Sequence, residues 1–197
     1  MGGTPRRLGD LKITGGAAWS PEGDRIVYAK GSEIHIARSD GTELQELASG
    51  EGIRYLPRWS PDGRTIRFTV EASGRVALWE ISADGSHPHS MFPELAWQSS
   101  GKWTSDGRYF LFNGNTRSGV SDLWALPEKS GLLGPAHRQV RLTDGPMFAA
   151  LPTPTPDGGG LRIRLAVVTA SRWGRRLLLC AGGGTLCCCR PGSGACR

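Results

Sequence analysis

Between Thr14 and Gly160 the apolar residues come in short alternating or continuous runs, each bounded by Gly, Pro or Asp. Ile26-Val27-Tyr28, Ile66-Arg67-Phe68-Thr69-Val70 and Tyr109-Phe110-Leu111-Phe112 are rich in β-branched and aromatic side chains. Runs of this length and composition predict strands. Gly and Pro recur too often between them for a helical stripe to form.

Nearly the same phrase precedes each run. "AWSPEGDRIVYAK" begins at Ala18, "RWSPDGRTIRFTV" at Arg58 and "KWTSDGRYFLFNG" at Lys102, and a worn fourth copy, "TPTPDGGGLRIRL", begins at Thr153. Aligned on Gly23, Gly63, Gly107 and Gly158, the copies are 40, 44 and 51 residues apart. Trp19, Trp59 and Trp103 stand four places before the first three glycines, and Pro154 takes that place in the fourth. Pro21, Pro61 and Pro156 suit the second position of a tight turn, where a fixed φ costs nothing. The glycine that closes the turn can adopt φ > 0 and let the chain reverse.

A third strand follows in each unit: Glu33-Ile34-His35-Ile36, Ala77-Leu78-Trp79-Glu80-Ile81 and Asp122-Leu123-Trp124-Ala125-Leu126. Asp40-Gly41 and Asp84-Gly85 then turn the chain into a weaker fourth strand, as in Leu44-Gln45-Glu46-Leu47; Val140-Arg141-Leu142-Thr143 is its counterpart in the third unit. Four short antiparallel strands per period of about 40 to 50 residues describe a propeller blade. The expected fold is therefore all-β, a partial β-propeller of three blades (about 16–51, 55–94 and 97–144) and the start of a fourth (148–160). Residues 1–12 form a lead-in. Blades bury their faces only against neighbouring blades, and rings close at about four to eight of them. Three blades and a fragment imply part of a larger protein, or open edges that self-associate.

Charge changes this picture little. The net charge of +6 comes from residues 161–197, which hold seven arginines and no Asp, Glu or Lys; the first 160 residues sum to −1. Direct nucleic-acid binding by the repeats is not expected. All five cysteines also lie in the tail, from Cys180 to Cys196, but Cys187-Cys188-Cys189 are adjacent and lack zinc spacing. At ordinary composition about four acidic residues would be expected in the tail. Their absence, beside abundant Arg, Gly, Cys and Leu, predicts an irregular segment, disordered or translated out of frame near Gly158–Leu161; an arginine-rich arm is the weaker reading. No apolar leader opens the chain and no 18-residue apolar run crosses it. A cytoplasmic or periplasmic part of a bacterial protein is the expectation.

Catalytic constellations are missing from the sequence: there is no G-x-S-x-G elbow, Walker loop or dinucleotide fingerprint. His87-Pro88-His89 reads as a solvent-facing loop pair rather than a metal site. Glu22, Asp62, Asp106 and Asp157 recur once per unit and read as turn caps. The repeated tryptophans, Trp79 and Trp124 included, read as core between blades. No cofactor or metal site and no enzymatic activity are expected.

The phrase W-S-P-D-G followed by an L-W strand and an A-D-G turn resembles the TolB-type, WD-repeat-like propeller repeats of bacteria. The span "RLTDGPMFAALPTPTPDGG", Arg141 to Gly159, is similar to a blade junction of that family. The likeness is nearest to propellers that follow a winged-helix domain in CadC-like regulators, or a kinase domain, in acidobacteria. It implies a non-catalytic binding or sensing module whose loops or channel meet a protein or small ligand. Two alternatives stand beside it: the substrate-filtering propeller of a prolyl-oligopeptidase-type peptidase, and a periplasmic Tol-type accessory propeller. The repeat residues that carry the resemblance are Trp19, Pro21, Gly23, Trp59, Pro61, Asp62, Gly63, Trp103, Asp106, Gly107, Pro156, Asp157 and Gly158.

Overall fold

In the computed structural model, residues 7–115, 121–128 and 139–143 are described in full, and 148–154 and 161–166 by their backbone. Every regular element is a strand. The first sheet holds β1 (Ala17–Trp19), β2 (Arg25–Lys30), β3 (Glu33–Arg38) and β4 (Gln45–Ser49). A second holds β5 (Ile53–Trp59), β6 (Thr65–Ala72), β7 (Arg75–Ser82) and β8 (His89–Ser90), and a third holds β9 (Trp97–Trp103), β10 (Tyr109–Asn115), β11 (Asp122–Pro127) and β12 (Val140–Arg141). In each sheet the strands lie side by side in chain order, all antiparallel. β13 (Phe148–Pro154) pairs with β14 (Leu161–Ala166) in a two-stranded sheet beside the third. The chain is a partial β-propeller.

Pairing of Leu161–Ala166 carries regular backbone past residue 160, where composition places the start of the tail. The strict alternation Leu161, Ile163, Leu165 with Arg162 and Arg164 supplies the two-residue period that a strand needs. Pro156, Asp157, Gly158 and residues 167–197 lie outside the described residues.

The repeated phrase folds as a closed module. In the first three copies the glycine N–H donates to the carbonyl three residues back: Gly23 to Ser20 (3.0 Å), Gly63 to Ser60 (3.0 Å) and Gly107 to Thr104 (2.9 Å). These glycines sit at φ of 73°, 69° and 67°, the left-handed region in which a side chain is strained. The hydroxyl of Ser60 donates to Asp62 Oδ1 (2.6 Å) and accepts from the Thr65 N–H (2.9 Å). Thr104 does the same with Asp106 (2.6 Å) and Tyr109 (3.0 Å), so threonine replaces serine without loss of a bond. In the first blade the acceptor for the Ser20 hydroxyl is Asp24 (2.8 Å) and not Glu22. Glutamate's extra methylene spoils the short Asx geometry, and the aspartate two places on takes over.

Side-chain alternation puts apolar groups on the faces that the blades bury on one another. Val27, Ala29, Ile34 and Ile36 of blade 1 pack against Trp59, Ile66, Phe68 and Ile81 of blade 2. Leu78 of blade 2 joins Trp103, Phe110, Phe112 and Trp124 of blade 3. Trp103 meets Phe110 edge-on at 4.5 Å between centroids, and Phe112 stacks on Phe92 at 4.7 Å.

Trp19 departs from this scheme. Trp59 and Trp103 are 8% and 7% exposed, but Trp19 is 48% exposed and forms no part of a core. Trp59 and Trp103 each pack against the blade before their own, and among the described residues no blade stands on that side of blade 1. Leu8 and Leu11 of the lead-in cover part of this face, over Ile26, Tyr28 and Ala37.

Candidate functional site

The two edges of the blades differ. On one edge lie the repeated turns, fastened to the β3–β4 type turns by Ser39 N–H to Asp24 O (2.8 Å), Ala83 N–H to Arg64 O (2.8 Å) and Glu128 N–H to Arg108 O (2.9 Å). Asp40 and Asp84 cap their own turns through Thr42 and Ser86. Successive copies touch: a Cβ placed on Gly63 would lie 3.8 Å from Pro21, and one on Gly107 would lie 3.3 Å from Pro61. The repeat residues of the first three copies thus line one edge as a row of scaffold turns.

Where blades 2 and 3 meet near that edge, Arg67 is buried. Its Nε donates to Glu80 Oε2 (2.7 Å) and its Nη1 and Nη2 donate to the two oxygens of Glu128. The guanidinium carbon stands 4.7 Å from the Trp103 ring centroid and 4.4 Å from that of Phe110. Two carboxylates and two aromatic faces satisfy this cation, so it acts as a latch between blades.

The opposite edge carries the blade-to-blade connectors and the β2–β3 type turns. Here a cleft of about 610 Å³ opens, walled by Leu47, Phe68, Val70, Val76, Trp79 and Leu95. Its volume falls in the range of small-ligand pockets, about 300 to 1,000 Å³. Arg54 lines it and is 8% exposed. Arg54 Nη1 donates to the carbonyls of Ser32 (2.7 Å) and Gly50 (3.0 Å), while Nε is buried with no partner. Among the described residues no carboxylate forms a salt bridge with it. Burial holds its pKa below the ordinary arginine value, with Glu46 acting in the opposite direction from a distance.

Arg54 has a counterpart one blade on. Counting back from Trp59 and Trp103, Arg54 and Gln98 hold the same register position of the innermost strand, and both line the cleft. Gln98 is saturated: its Nε2 donates to the Phe92 and Leu95 carbonyls, and its Oε1 faces the Leu78 N–H at 3.4 Å. Two residues beyond, Leu56 and Ser100 have φ of 53° and 56°, as Gly16 does at 96° in blade 1. The inner strands of blades 2 and 3 bulge at this point. Neither the bulge nor the buried arginine was legible in the sequence, since Gly, Leu and Ser share no chemical signature and an arginine in a strand reads as solvated.

Other groups are occupied. His35 Nε2 and Lys30 Nζ both contact Glu33 Oε2, at 2.7 and 3.2 Å, which lowers the Glu33 pKa. Glu46 lies near enough for the ligand atoms of Glu33, His35 and Glu46 to fall within 4.8 Å of one another, but the lysine already holds the shared carboxylate oxygen. His89 stands 3.9 Å from Glu80 at the exposed outer strand, and His87 contacts Ser86.

Blades of four antiparallel strands, joined by repeated W-S-P-D-G-like turns, define a β-propeller module. The chain carries TolB-type propeller repeats. It is 40% identical over 80 residues to the Tol-Pal system protein TolB of Syntrophus aciditrophicus, covering 38% of this chain and 18% of that protein. An uncharacterised protein of Agrobacterium fabrum is 33% identical over 89 residues, covering 43% of this chain and 30% of the relative. An uncharacterised peptidase of Bacillus subtilis is 27% identical over 115 residues, covering 52% and 17%. The structure of a candidate TolB from Agrobacterium tumefaciens superposes with a TM-score of 0.65 at 18% identity, over 84% of this chain and 61% of that one. TolB from Acinetobacter baumannii gives 0.59 at 19%, over 78% and 41%. The chain thus spans less than a third of the curated relatives named here. No protein-family model matches it. Among the described residues no helix is long and apolar enough to cross a membrane.

Proposed function

We propose that this propeller is a non-catalytic binding module of a bacterial regulator, which meets a protein or small ligand at the connector edge. One observation carries the reading: the connector-edge cleft joins apolar walls to a buried guanidinium with which, among the described residues, no carboxylate forms a salt bridge. Apolar lining with a few convergent polar groups is the usual make-up of a ligand site. The hairpin-turn edge, by contrast, has its polar groups engaged with one another. The test is equilibrium dialysis against a defined library of short peptides, read by mass spectrometry. A subset should be retained, and retained intact. Retention of nothing would remove the binding reading, and cleaved products would remove the non-catalytic one.

The match to a Bacillus subtilis peptidase supports a second reading, a propeller that filters substrates for a serine peptidase. Sequencing the flanking gene separates the two. A hydrolase domain with a G-x-S-x-G elbow favours the peptidase, and a winged helix or kinase domain favours the regulator.

A further inference from the structure

Two buried arginines hold opposite positions in this fold. Arg67 has two carboxylates, Glu80 and Glu128, whereas Arg54 has only the carbonyls of Ser32 and Gly50 on one of its three nitrogens. A buried cation whose direct bonds go to neutral carbonyls is incompletely balanced, because carbonyl dipoles replace only part of its hydration and Glu46 acts on it from a distance. Arg54 Nε is buried without a partner, the residue lines the cleft, and a guanidinium offers its donors in a planar fork that matches a carboxylate. Gln98, in the same register position one blade on, shows the alternative: a neutral group with its hydrogen bonds met inside the fold. A second cation, Arg75, lines the cleft with Arg54. Glu51 also lines it, but its carboxylate accepts the Ser73 hydroxyl at 2.7 Å.

We infer that the connector-edge cleft binds the carboxylate of a peptide, held by Arg54, with the adjoining apolar side chain lying against Phe68, Trp79 and Leu95. The inference deepens the binding-module reading by naming the ligand chemistry, and it rests on that reading. The carboxylate supplies a directly bonded counter-ion, which Arg54 lacks among the described residues, and the walls reward an apolar residue beside it. Trp79 is half-buried in the cleft wall, so its emission reports occupancy.

The experiment titrates the full chain with the tripeptide acetyl-Ala-Leu-Phe, as the free acid and as the C-terminal amide, followed by calorimetry and tryptophan emission. The acid should bind at least tenfold more tightly than the amide, a difference that falls with salt. Ala77→Trp narrows the cleft while leaving the Arg54 bonds in place and should abolish acid binding. Arg54→Gln should erase the preference of acid over amide. Arg54 also braces Ser32 and Gly50, so that variant is scored only after its thermal melt matches the parent; the acid–amide pair on the unaltered protein needs no variant. Equal binding of acid and amide, or acid binding that survives Ala77→Trp, overturns the inference. If the dialysis experiment retains peptides and the acid shows no advantage, the binding reading stands and the carboxylate site falls.

Discussion

The Arg67 guanidinium of blade 2 and the Glu128 carboxylate of blade 3 form a two-pronged ion pair across the blade interface. They are 61 positions apart in the chain. The Arg67 side chain is 6% exposed and that of Glu128 20%, so water screens the pair weakly. Arg67 also binds Glu80 on its own sheet and lies over Trp103, which makes the latch a joint between the two blades.

Removing Glu128 leaves the buried Arg67 with Glu80 as its remaining carboxylate partner. Glu128→Ala should lower stability by about 3 kcal/mol, near the lower end of measured losses for a broken buried pair. Arg67→Met, which keeps packing on Trp103 and Phe110, should be milder than Arg67→Ala. Urea unfolding curves of the three variants check the order; equal losses would mean that charge, not packing, holds the joint.

The three repeat tryptophans should respond unequally to truncation. Trp59→Ala and Trp103→Ala empty inter-blade cores and should cost about 3 to 5 kcal/mol each. Trp19→Ala, at a half-exposed position, should cost under about 1 kcal/mol. Thermal melts of the three proteins suffice to rank them.

Asp62 and Asp106 set the acid limit of the repeated turns. The Ser60 hydroxyl, followed by the Arg64 N–H, holds Asp62 below the ordinary aspartate pKa; Thr104 and Arg108 do the same for Asp106. A group depressed in the folded state contributes stability above its unfolded pKa and loses it as pH falls through the folded one. Melting temperature should therefore decline as pH drops below about 4, the unfolded aspartate value. Asp62→Ala should melt lower at neutral pH and show a shallower acid decline. An unchanged decline in that variant would place the acid-sensitive groups elsewhere.

The blade 1 face that bears Trp19 should be sticky. Trp19 is a large apolar residue 48% exposed on that face. Exposed apolar surface and unpaired strand edges favour association. Sedimentation velocity should show species that grow with concentration, and Trp19→Arg should shift them toward monomer. A single monomer peak at all concentrations would contradict this.

Local chemistry settled much in advance. The Ser/Thr–x–Asp–Gly turns and the two-residue alternation after them act within about five residues, so strands and hairpins were readable from residues alone, and their recurrence every 40 to 51 residues marked the blades. Tertiary structure decided the rest, for reasons of distance. Whether Trp19 is buried depends on a neighbouring blade, which no local pattern reports. Glu128 becomes the partner of Arg67 only when two blades pack, and the positive φ at Gly16, Leu56 and Ser100 is shared by three unlike residues at one place in the repeat. Arg54 and Gln98 share a place in the fold without sharing a motif. What distinguishes them is whether the surrounding carbonyls complete a hydrogen-bond set, and only the packed connectors determine that.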